Sequence, residues 1–156
     1  MDTNPTPQSF VDTTSTERLL ECLESELSAV ETYRIALRDV VHVRLHFMLR
    51  EILRSHAARA ERLGEHLRKI GVEPKKSSGV WGVFAKALQT GADIISDHAA
   101  IAVLKDGEER SLRLYMQAIE ECDARTWRLV LAELLPAQRR TNELCGLLKD
   151  YVRALS

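Results

Sequence analysis

Residues 26–33 read ELSAVETY and residues 108–115 read EERSLRLY, and in both a Glu is followed seven positions later by a Tyr. Seven residues is close to two helical turns, so each Glu shares a helix face with its Tyr. Working outward from the first pair, Leu19, Leu23, Glu26, Val30, Tyr33, Leu37 and Val40 recur at alternating steps of four and three. Around the second pair, Ile101, Leu104, Glu108, Leu112, Tyr115, Ile119 and Cys122 also recur at steps of three and four. Two further stripes have this period: Leu45, Leu49, Ile52, His56, Ala60, Leu63, Leu67 and Ile70, then Trp127, Leu131, Leu134, Gln138, Thr141, Cys145, Leu148, Val152 and Leu155. Four long one-sided stripes predict an all-α protein of four amphipathic helices. A shift of 82 residues lays Glu26 on Glu108, Tyr33 on Tyr115, Leu53 on Leu135 and His56 on Gln138. The chain therefore reads as two helical hairpins related by an internal pseudo-two-fold.

Thr14 and Glu17 have capping-box spacing and are expected to start the first helix. Residues 1–13, rich in Thr and Pro, are expected to form a disordered tail ahead of one domain spanning 14–156. The turn between the first two helices is expected near Val41–Val43. Gly71, with Pro74 behind it, ends the second helix. Residues 71–92 then form a long connection with a short apolar helix around Val80–Leu88, whose Trp81 and Phe84 are expected to cover the helices rather than meet a partner subunit. Asp123 caps the fourth helix, and Pro136 predicts a kink because it cannot donate to the carbonyl of Ala132.

The formal net charge is −1, which gives no general attraction to nucleic acid or anionic lipid. No apolar run reaches the length of a membrane span, and the first residues lack the basic and apolar regions of a signal peptide. Three widely spaced cysteines, Cys22, Cys122 and Cys145, fit reduced thiols in the cytoplasm better than a disulfide framework. Neither a glycine-rich phosphate loop nor a Ser or Cys nucleophile with a nearby His and acid is present.

The segments LESELSAVETYRIAL, HAARAERLGEHLRKIGVEP and LKDGEERSLRLYMQAI give the chain a further likeness. Across residues 15–155 it resembles the ferritin-like superfamily. It is most similar to a bacterial family of ferritin-like four-helix-bundle proteins of uncharacterised function. The resemblance implies an antiparallel four-helix bundle with a long crossover between helices two and three. It also implies a di-iron site built from one Glu on each of helices one and three and a Glu-x-x-His pair on each of helices two and four. Glu26, Glu108 and His56 match that pattern. Leu53, Leu135 and Gln138 stand where two glutamates and the second histidine belong, so the ligand set is degenerate.

Two readings of Glu26, His56 and Glu108 follow. They could hold a single metal, with iron as the cofactor of a metal-binding protein or oxidoreductase. Alternatively they form a buried polar layer with Gln138 and the two tyrosines, without a cofactor, in a non-enzymatic bundle that acts through association or as a homo-oligomer. The second is preferred, because three ligands without bridging carboxylates balance two cations poorly. Glu51 and Glu133 fall about 140° from their stripes and are expected to face solvent. His42, His46 and Asp39 could clamp a metal only if one helix ran unbroken through all three, so they are expected to be ordinary surface residues.

Overall fold

The computed structural model describes residues 12–74, 76, 79–81, 84–86, 90 and 96–155. Among them the protein is all-α: α1 spans Thr13–Asp39, α2 Val43–Lys69, α3 Asp97–Glu121, α4 Ala124–Leu129 and α5 Leu135–Ala154. A π-turn over Val130–Leu134 joins α4 to α5. The backbone stays right-handed helical through both junctions, so α4, the π-turn and α5 form one rod. α1 packs on α2 and α3, and α5 packs on the same two helices. Among the described residues, no helix is long and apolar enough to cross a membrane.

Each helix end has a local cause. The N-cap of α1 lies two residues before the expected Thr14, at Asp12, whose side chain accepts the Ser15 N–H at 3.1 Å. Helix thus reaches into the stretch assigned to the tail, whose residues 1–11 lie outside the described residues. The α1–α2 turn contains no Gly or Pro and is held from outside. Asp97, at the start of α3, accepts the N–H groups of Val41 and His42, both at 2.9 Å. α2 ends in a Schellman motif in which Gly71 adopts φ 83° and Val72 N–H reaches Leu67 O at 2.9 Å. Ser96 caps α3 and Asp123 caps α4.

Pro136 is met by the π-turn. Leu135 N–H donates five residues back to Val130 O, a wider ring that accommodates a proline with no N–H for Ala132. The π-turn holds one residue more than an α-turn, and that residue rotates everything ahead of it. Trp127 and Leu131, expected on the buried stripe, are each 40% exposed. Their N-terminal neighbours Thr126 and Val130 are buried instead. The phase slips by one position, as a single inserted residue requires.

The interior has two apolar clusters. One gathers Tyr33, Leu49, Ile52, Leu104 and Leu148 with Trp81 and Phe84 of the connection. The other gathers Leu19, Leu63, Leu67, Tyr115, Leu134 and Leu135. Glu26, His56, Arg59, Glu108, Gln138 and Thr141 are all buried, and along every helix they fall between the two clusters.

Candidate functional site

Glu26, His56 and Glu108 meet at the centre of the protein, each fully buried. His56 stands between the carboxylates, Nδ1 2.6 Å from Glu26 Oε2 and Nε2 2.7 Å from Glu108 Oε1. Each tyrosine crosses to the glutamate of the other half: Tyr33 Oη donates to Glu108 Oε1 at 2.7 Å and Tyr115 Oη to Glu26 Oε1 at 2.6 Å. Gln138 Nε2 and Thr141 Oγ1 both donate to Glu108 Oε2 at 2.8 Å. Glu108 thus accepts four hydrogen bonds, one for each lone-pair direction of a carboxylate.

One participant was not on any stripe. Arg59, only 3% exposed, sends Nε to Glu26 Oε1 at 2.7 Å, Nη1 to Ser55 Oγ at 2.7 Å and Nη2 to Gln138 Oε1 at 2.8 Å. A signal for it exists in the sequence. The 82-residue shift lays Arg59 on Thr141, which does belong to a buried stripe. The structure keeps that correspondence, since Arg59 bonds Glu26 as Thr141 bonds Glu108. Ala60, the residue expected on the stripe, is only partly buried.

The protonation pattern follows from charge. Burial alone would push the Glu26 carboxyl up, but Arg59 and His56 hold it down at about 2. Glu108 is likewise lowered against its burial, by His56 first. Burial would strip the proton from His56, yet the two carboxylates raise its pKa. With both ring nitrogens facing carboxylate oxygen, His56 is an imidazolium donating in both directions. Its Nδ1 also lies 2.7 Å from Arg59 Nη2. A protonated Nδ1 cannot accept there, so that contact is a close approach of two cations, both bonded to Glu26. Two carboxylates, one guanidinium and one imidazolium leave the layer neutral. Burial pushes both tyrosines well above their ordinary values, and the adjacent carboxylates add to it, so they remain donors.

The connection closes one side. Trp81 is buried, with edge-on ring contacts to Tyr33 at 6.2 Å and His56 at 6.3 Å. Its backbone N–H donates to Thr32 Oγ1 at 3.0 Å, and Arg110 lies 5.9 Å from the ring centroid. The ring rests on the backbone of Gly107, where a Cβ would come within 2.1 Å of it. Trp81 and Phe84 are thus covered within the chain; residues 84–86 are helical, and the rest of the expected short helix lies partly outside the described residues.

These residues do not fit a pair of iron ions. Leu135 is buried in one apolar cluster and Leu53 packs at the edge of the other, so neither position where the resemblance places a bridging carboxylate carries an oxygen. Glu51 and Glu133 are exposed and paired with Arg54 and Arg62. The break at Val40–His42 separates Asp39 from His42 and His46, and His46 Nε2 donates to Val40 O at 2.8 Å. All three cysteines are unpaired.

Fold and site define an all-helical protein with a charge-neutral polar layer buried between two apolar clusters. Residues 14–121 match the family described as Domain of unknown function (DUF2383), and the chain belongs to that family. The match ends where α3 ends, so it contains Glu26, His56, Arg59 and Glu108 but not Gln138 or Thr141. No curated protein matches the chain.

Proposed function

We propose that the chain is a non-enzymatic ferritin-like protein with a degenerate di-iron site, acting through association as a homo-oligomer. The accompanying fold is an antiparallel four-helix bundle with a long crossover between α2 and α3. Side-chain pairings support that arrangement. Val40 meets His46 and Glu26 meets Arg59 between α1 and α2; Arg18 meets Glu121 and Tyr33 meets Glu108 between α1 and α3. In both sets residue numbers rise on one helix as they fall on the other. Two helices that both oppose α1 run parallel, and a parallel pair needs a connection travelling the length of the molecule.

The observation that carries the functional reading is the Arg59 guanidinium on Glu26. Ferritin-like metal proteins gather carboxylates around cations from solution; this chain supplies its own cation covalently. Protein purified without a chelating tag is therefore expected to carry no stoichiometric metal and to oxidise ferrous iron no faster than buffer. Stoichiometric metal, or rapid oxidation, would instead favour an iron-dependent oxidoreductase using Glu26, His56 and Glu108.

Association is supported by apolar side chains left outside, with Phe47 70%, Val43 73% and Leu147 59% exposed. Sedimentation velocity is expected to show an oligomer that Phe47→Glu dissociates. A wild-type protein that stays monomeric at every concentration would defeat this part of the reading.

A further inference from the structure

Where α2 ends and α4 begins, away from the central layer, two adjoining cavities of about 470 Å³ and about 570 Å³ share His66, Lys69, Ile70 and Arg125. The smaller is also lined by Arg62 and Arg128, and its one acid is Glu133. Four cations against one carboxylate leave an excess of three positive charges, on a chain whose formal net charge is −1. Glu133 is already taken by Arg62, at 2.8 and 3.0 Å. Lys69, Arg125 and Arg128 have no acidic partner among the described residues. The acids of the larger cavity, Asp12 and Asp123, are engaged as N-caps of α1 and α4.

A second observation is independent of charge. His66 lines both cavities and is 7% exposed, yet its Nε2 has no hydrogen-bond partner; nor has Thr16 Oγ1 in the larger cavity. Unmet buried polar atoms are uncommon in folded proteins, because each forfeits its hydration. Burial, and then Arg62, lowers the His66 pKa, with Arg125 and Lys69 adding to the effect and Asp123 opposing it. A ring kept neutral among cations gains from an anion placed beside it.

We propose that these adjoining cavities bind a soluble phosphate monoester. A phosphate dianion carries two negative charges and three terminal oxygens, so it offsets more of this positive excess than a singly charged carboxylate can. Both cavities fall in the size range of small-molecule sites and exceed what a bare ion needs. The side chains of Ile70 and Leu129 give the organic part an apolar wall. The site is separate from the polar layer and does not depend on its function.

The test is NMR observation of the His66 ring, assigned with His66→Gln, during titration with inorganic phosphate, phenyl phosphate and, at matched ionic strength, chloride. Inorganic phosphate should shift the ring signals saturably and raise the pKa of His66. Phenyl phosphate should bind about tenfold more tightly, and Arg125→Ala with Arg128→Ala should weaken both by at least about tenfold, without changing the melting temperature. The proposal is overturned if chloride reproduces the shifts, if the double variant retains them, or if only vesicles containing phosphatidic acid produce them; that last result would point to a lipid headgroup.

Discussion

Arg59 Nε lies 2.7 Å from Glu26 Oε1, with the arginine 3% and the glutamate 0% exposed. Neither charge has water to fall back on. Removing one partner of such a buried pair leaves the other uncompensated, at a cost of about 3–5 kcal/mol. Arg59→Met should destabilise by about that much in urea unfolding, and adding Glu26→Gln should recover part of the loss. If the double variant is simply the sum of the two single ones, the pair is not coupled as described.

His56 ties the same layer to pH. Glu26 and Glu108 have lowered folded pKa values, so their contribution is complete above about pH 4.5. It is lost as pH falls through the folded value, about 2 for Glu26. The folded pKa of His56 is raised, so its contribution is complete below about pH 6.5 and lost as pH rises through that raised value. His66, with a lowered pKa, has the opposite dependence in the same region and must be subtracted. The melting-temperature difference between wild type and His56→Gln should therefore be largest between about pH 4.5 and 6.5 and shrink at alkaline pH. A difference that grows with pH would contradict the imidazolium.

Gly107 is needed for contact rather than for backbone freedom, since a Cβ there would stand 2.1 Å from the Trp81 ring. Gly107→Ala should displace the indole and cost about 1–3 kcal/mol, as overpacked interiors do. In a Trp127→Phe background, which removes the other tryptophan, emission should shift to the red. Unchanged emission would mean that the ring does not rest on this glycine.

On the proposed ferritin-like reading, a full di-iron ligand set requires Leu53→Glu, Leu135→Glu and Gln138→His. With Arg59 in place, these changes should still fail to confer stoichiometric iron binding, because the guanidinium occupies Glu26. Adding Arg59→Ala should confer it, as measured by anaerobic ferrous titration of variants that stay helical by circular dichroism. Equal binding with Arg59 present would sink the idea that this side chain takes the place of the metal.

The apolar period determined the helices and most of what they bury. Leu19, Leu23, Glu26, Val30 and Tyr33 on α1 all lie inside, as their spacing requires, because a helix has one face to offer a core. The 82-residue repeat also pairs Glu26 with Glu108, and His56 with Gln138. Period could not reveal the π-turn. Trp127 and Leu131 continue the four-and-three spacing, and only the ring closed around Pro136 moves Thr126 and Val130 inward in their place. Nor could it find Arg59. A long charged side chain beside an apolar stripe ordinarily reaches back to water, and whether it stays depends on acceptors supplied by other helices. Here Glu26 comes from α1 and Gln138 from α5. The burial of that charge is a property of three helices meeting, which spacing along one of them does not encode.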